Sequence, residues 1–115
     1  MKLAASLILF VCALTASSAA HALEGHWFGK VDSDRGTMQI GLETQEADGN
    51  IRGVVKTAHG DWPITSISED NGTFTVVFDN GDRTGKLIGR VEGNHFTGTW
   101  DNSPYATGTF ELTKR

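Results

Sequence analysis

The sequence predicts an all-β protein: eight antiparallel strands in an up-and-down meander, closed into a small barrel, with a flattened sandwich of the same meander as the alternative. Three observations carry this expectation. Beyond residue 22, apolar and polar residues alternate over short runs, as in Met38-Gln39-Ile40-Gly41-Leu42-Glu43, and no stretch repeats with a helical period. Turn dipeptides separate those runs: Asp48-Gly49, Asn71-Gly72, Asn80-Gly81 and Gly93-Asn94. An apolar-x-Gly-x-apolar frame recurs, at Trp27-Gly29-Val31, Ile51-Gly53-Val55, Leu87-Gly89-Val91, Phe96-Gly98-Trp100 and Ala106-Gly108-Phe110. A related Gly-x-Trp triplet holds each tryptophan of the chain: Gly25-x-Trp27, Gly60-x-Trp62 and Gly98-x-Trp100.

The chain divides into a leader, residues 1–22, and one domain, residues 23–115. The leader has Lys2, an apolar run from Leu3 to about Thr15, small polar residues, and the A-x-A ending Ala20-His21-Ala22. This is the pattern of a secretory signal cut after Ala22. The run is too short to cross a bilayer, which takes roughly 20 apolar residues. Cys12 lies inside that run, preceded by bulky Val11, an unsuitable setting for lipid attachment. It is the only cysteine, so the domain has no disulfide and must be held by packing and ladder hydrogen bonds. The expected address is periplasmic or extracellular, in a bacterial style of export. Ten basic residues face 14 acidic ones, for a net charge of −4. No Lys/Arg cluster exists, which argues against nucleic acid or an anionic membrane as partner, and no membrane insertion is expected after cleavage.

In order, the expected strands are 25–32, 37–46, 50–57, about 62–68, 73–79, 82–91, 95–101 and 105–113. A two-residue loop sets which residues face each other, and a slip by one would put apolar against polar. Looping at Asp48-Gly49 places Leu42 opposite Val55 and Thr44 opposite Gly53. Looping at Asn80-Gly81 places Val76 opposite Gly85 and Phe74 opposite Leu87. Looping at Gly93-Asn94 places Val91 opposite Phe96, Gly89 opposite Gly98 and Leu87 opposite Trp100. In each hairpin the apolar faces coincide. A three-residue loop before the last strand would add Gly108 to a row with Gly89 and Gly98. Interior glycines cost ~0.5–1 kcal/mol each relative to alanine, so the row needs a reason. Either the strands bend sharply there, which is preferred, or the missing side chains leave room for a tryptophan or a ligand.

The residues expected to face inward run from Trp27 to Leu112 and include no Asp, Glu, His, Lys or Arg. An interior without a titratable group has nothing for acid, base or nucleophilic chemistry, so the protein reads as a non-enzyme that needs no cofactor. Such an interior is a plain core or an apolar pocket. His26 and His95 face outward by parity and His59 falls in a loop, a spacing that matches no metal motif. Asp32-Ser33-Asp34-Arg35-Gly36 reads as a turn, because the later acidic ligand of a calcium loop is missing. Asn71-Gly72-Thr73 matches a glycosylation pattern, but with a leader of bacterial style it reads as a turn.

The segment His59-Gly60-Asp61-Trp62-Pro63 departs from the alternation and reads as a loop. Trp62 caps one barrel end or stands at the rim as an anchor for a partner. Phe28 and Tyr105 face outward or lie near the rim, where the first and last strands of a closed barrel would bring them together as an apolar patch, with Trp62 or apart from it.

Gly25-x-Trp27, Asp48-Gly49-x-Ile51-x-Gly53-x-Val55 and Gly98-x-Trp100 together resemble the calycin-type barrels, the group of lipocalins and avidin-like proteins. The opening is most similar to the avidin pattern. That resemblance implies tryptophans at a binding site, hence Trp27, Trp62 or Trp100. Avidin-like proteins also place polar groups inside the barrel, and this chain has none at its expected inward positions. Bacterial periplasmic protease inhibitors are similar small barrels with an early Gly-x-Trp. The disulfide of several of them is missing here. The expected function is therefore an exported, non-enzymatic binding protein, taking a small apolar ligand in the barrel or a protein partner at the rim. The candidates are Trp62, His59, Asp61, Trp27, Trp100, Phe28 and Tyr105. The alternatives are an inhibitor-type interaction barrel with a filled core, and an accessory domain or enzyme.

Overall fold

The computed structural model describes residues 22–104 and 106–115. The leader, apart from Ala22, and Tyr105 lie outside the described residues. Eight strands follow one another: β1 (Gly25–Ser33), β2 (Gly36–Ala47), β3 (Asn50–Thr57), β4 (Gly60–Asp70), β5 (Thr73–Asp79), β6 (Thr84–Glu92), β7 (His95–Asn102) and β8 (Ala106–Lys114). Each pairs antiparallel with the next, and β8 pairs back onto β1, closing the barrel. The tight turns have the backbone their residues favour. Asp48 and Gly49 (φ 55° and 83°) and Asn71 and Gly72 (φ 53° and 84°) are left-handed at both central positions.

The first and third expected registers hold: Leu42 faces Val55, Val91 faces Phe96, and Gly89 faces Gly98. Two others are displaced by two residues. Between β5 and β6 the turn takes four residues, not Asn80-Gly81 alone, because side chains stabilise the wider loop. The Arg83 N–H donates to Asn80 Oδ1 (3.0 Å) and the Gly81 N–H to Asp79 Oδ1 (2.9 Å). Val76 therefore faces Leu87, and Phe78 faces Gly85. Between β7 and β8 the ladder extends to Asn102 and Ala106, so Gly98 faces Phe110 and Gly108 faces Trp100. The expected row of three glycines is broken. In these two hairpins a slip of two leaves the side chains on their own faces, because the strand period is two.

The segment 59–63 also differs from expectation. Only Ala58 and His59 turn the chain, with the Thr57 hydroxyl donating to the Gly60 carbonyl (2.8 Å) and accepting from the His59 N–H (3.1 Å). Gly60 starts β4 at φ 126°, the same value as Gly25 at the start of β1. Trp62 is then an inward strand residue opposite Val55, as Trp27 is opposite Leu42. The ladder between β3 and β4 ends at the pair Val54–Pro63, and proline has no N–H to continue it. A bulge between Ile64 and Ser66 then shifts the alternation, so that Ile67, missed by simple parity, packs on the core. Beyond Pro63 the two strands separate. Asn50–Gly53 and Ile64–Asp70 keep ladder partners on one side only, flanking a groove of about 850 Å³ with Phe74 behind it.

The five recurring frames have one physical meaning. A Cβ placed on Gly29, Gly53, Gly89, Gly98 or Gly108 would lie 1.9–2.1 Å from a backbone carbonyl oxygen of the paired strand. Only glycine lets the strands approach so closely and bend so sharply. Inside, the rings form two groups. Trp27, Phe74, Phe96 and Phe110 meet edge-to-face, with interplanar angles of 65–85°. Toward the other end, Trp62 stacks on Phe78 (5.5 Å, 8°) and both contact Trp100.

The ends differ. At the end carrying the 47–50, 70–73 and 92–95 turns, Leu23 is fully buried as a plug. Its carbonyl accepts from Trp27 Nε1 (3.0 Å) and from the Thr44 hydroxyl. These bonds satisfy the buried indole N–H and the buried threonine, groups that would be costly to leave unpaired.

Gly98→Ala is expected to destabilise the fold by about 1–3 kcal/mol, as for overpacking. Gly41→Ala, whose Cβ would sit 3.4 Å from its nearest atom, should change stability by less than about 1 kcal/mol. Urea denaturation of the two variants checks the difference. In hydrogen exchange, amides of Asn50–Gly53 and Ser66–Ser68 aimed into the groove should exchange faster than those of the β6–β7 ladder. Equal protection would contradict the opened seam.

Candidate functional site

The opposite end of the barrel is open. Four turns surround it among the described residues, at 34–35, 58–59, 80–83 and 103–104. Between them lies a cavity of about 490 Å³, large enough for a small ligand. Trp62, Trp100, Val31, Met38 and Ala106 supply its apolar surface, and the mouth carries Arg35, Arg83, Asp82 and His59. Trp100 is 3% exposed and Phe78 is fully buried, whereas Trp62 is only partly covered. Stacked on Phe78 and backed by Trp100, Trp62 presents a braced indole to the cavity. The site is a cup: filled below by the barrel core and open above.

One layer above Trp100 on the inward face of β7 sits Asn102, 4% exposed and lining the cavity. Its Oδ1 accepts from Asn80 Nδ2 (2.9 Å). Asn80 is oriented in turn by the Arg83 N–H donated to its Oδ1. With Thr44, Asn102 is one of two buried polar side chains among the described residues.

The sequence candidates separate in space. Trp62, Trp100 and His59 come together around the cup. Trp27 is buried at the plugged end, its indole N–H already taken by Leu23. Asp61 points outward and pairs with Lys56 (3.5 Å), so it forms part of the outer wall. Phe28 is 50% exposed, opposite Thr113, with the Arg115 guanidinium over its ring (4.8 Å). Trp62 faces inward, so it does not join Phe28 on the outer surface. Tyr105 lies outside the described residues. The two asparagines and Arg35 were missed because they read as turn residues, and Arg83 because it falls in the expected strand 82–91. The Asn102 signal was present in the alternation Phe96, Gly98, Trp100, which continues inward to 102.

Two carboxylates brace the outer side of this rim. Asp101 accepts from the Ser103 hydroxyl (2.6 Å) and N–H (3.0 Å). The hydroxyl bond first, then the amide bond, with Lys86 assisting, hold its pKa below the ordinary aspartate value. Asp32 accepts from the Thr37 hydroxyl (2.6 Å), and that bond, with Lys30 adding attraction, lowers its pKa likewise. Both favour the ionised form through hydrogen bonding, and both are exposed.

No protein-family model matches the chain, and no curated protein matches it in sequence.

Because both carboxyls are lowered, their contribution to stability is present above the unfolded aspartate pKa and is lost as pH falls through the folded value. An NMR pH titration should show Asp101 and Asp32 ionising below the ordinary aspartate range. Ser103→Ala should move Asp101 back upward.

Proposed function

We propose that this protein is an exported, non-enzymatic binding protein that takes a small apolar ligand into the open end of the barrel. The observation that carries the reading is the 490 Å³ cup with Trp62 and Trp100 in its wall. A cavity of at least roughly 300 Å³ is what a ligand site needs, and a barrel filled to both rims would have favoured a purely protein-binding role. The non-enzymatic part is supported by the character of the interior, where the buried polar side chains among the described residues, Thr44 and Asn102, are both neutral. Export is supported by the leader pattern and by where packing begins: Leu23, the first residue after the A-x-A ending, is already buried in the barrel. The cup resembles in kind the ligand mouth of calycin-type barrels, the likeness suggested by the Gly-x-Trp frames.

Trp62 is the natural reporter. Titrating the domain 23–115 with a panel of lipids, retinoids and biotin should give quenching or a shift of tryptophan emission with at least one of them. Trp62→Leu should weaken that binding by about tenfold or more, in line with a loss of ~1.4 kcal/mol. Silence across the panel would sink the small-ligand reading and leave a protein partner at the rim.

A further inference from the structure

Asn102 carries an inference about what the cup accepts, and it rests on the small-ligand reading above. Its amide is held in one orientation. The Arg83 N–H fixes Asn80 Oδ1, so Asn80 presents Nδ2, and Asn102 must answer with Oδ1. This leaves Asn102 Nδ2 facing away from Asn80, with no partner among the described residues. No fully occluded side-chain nitrogen or oxygen lacks a partner among those residues, so this nitrogen opens onto the cavity that Asn102 lines.

A side chain 4% exposed with an unused donor is an unusual element in an otherwise apolar wall. Nearly all buried polar groups are hydrogen-bonded, and a donor left unpaired is costly when solvent is displaced from it. A purely hydrocarbon ligand would incur that cost, whereas a ligand with an acceptor oxygen at the right place avoids it. The neighbouring surface suits a flat body, since Trp62 offers a ring already stacked on Phe78. At the mouth, Arg35 and Arg83 stand near Asp82, so the rim adds positive charge without excluding a neutral group.

We infer that the cup selects flat apolar molecules bearing a hydrogen-bond acceptor oxygen, a carbonyl or a carboxylate, which Asn102 Nδ2 receives while the ring body lies against Trp62. The acceptor sits one layer above Trp100, between the two asparagines and the apolar wall. Asn102 acts as a specificity residue; the apolar contacts supply most of the affinity.

The test uses three naphthalenes of near-equal size: 2-acetylnaphthalene, 2-naphthoate and 2-ethylnaphthalene, titrated by calorimetry into the domain 23–115. The expected result is that the ketone, the carboxylate or both bind about tenfold or more tighter than the ethyl compound. The ketone and carboxylate arms tell a neutral acceptor from an anion. Asn102→Leu should abolish the preference while keeping the ethyl compound bound. In case that variant does not fold, the side-chain amide signals of Asn102 in the unaltered protein give a second readout: they should shift with the oxygen-bearing ligand and stay nearly still with the hydrocarbon. Equal binding of all three, or an unmoved Asn102 amide, would overturn the inference and leave the cup as a plain apolar site. Binding of none would overturn the inference, while the small-ligand reading stands or falls with the lipid, retinoid and biotin panel.

Discussion

The close crossing of strands over five glycines is the constraint on which this barrel depends. At each of Gly29, Gly53, Gly89, Gly98 and Gly108 a partner carbonyl occupies the space a Cβ would need. Eight short strands can close only if they coil strongly, and the coil brings neighbouring backbones together on the inside of each bend. The tryptophans and phenylalanines fill the interior that these bends enclose. Glycine and aromatic residue thus form a complementary pair in the frames: one removes volume where backbones meet, the other restores it where the lumen would be empty.

Closure at one end and opening at the other follow from where polar groups are satisfied. Leu23 plugs the first end, and its carbonyl serves the Trp27 indole and the Thr44 hydroxyl together. At the second end no plug of this kind enters among the described residues. The wider turn at 80–83 and the extension of β7 to Asn102 place an amide pair over the Trp62–Phe78–Trp100 group. The cup is therefore an apolar floor with a polar collar, the composition typical of small-ligand sites. The opened seam between β3 and β4 is a separate consequence of Pro63 and the bulge after it. It weakens the wall without exposing the aromatic floor.

Much of the fold was legible because β structure writes its period into the sequence. Alternation placed Leu42, Val55, Phe74, Val76, Leu87 and Phe96 inward, and all are buried. The Asp-Gly and Gly-Asn hairpins were legible for a similar reason, since a two-residue loop leaves one register. The misplacements occurred where a side chain overrode the local signal. Asn80 and Asp79 capped a longer turn, Asp101 and Ser103 accompany a last hairpin two residues out of the expected register, and a bulge brought Ile67 inward. Trp62 was misread because proline and glycine beside it imitate a loop, although Gly60 only opens a strand as Gly25 does.

What the sequence by itself determined was the all-β meander and most of the inward set, with its largely apolar character. These depend on period and composition, which are local. Which of the candidates share a site was decided only by the tertiary structure. Trp27 and Trp100 occupy equivalent frames, yet one is sealed beneath Leu23 and the other walls a cavity. The reason is geometric: period says which face a residue takes, whereas depth along the barrel depends on how the two ends are closed. For the same reason Asn102 could be read as a turn residue until the pairing of β7 with β8 carried it inside, where an unpaired donor acquires an energetic meaning it lacks in water.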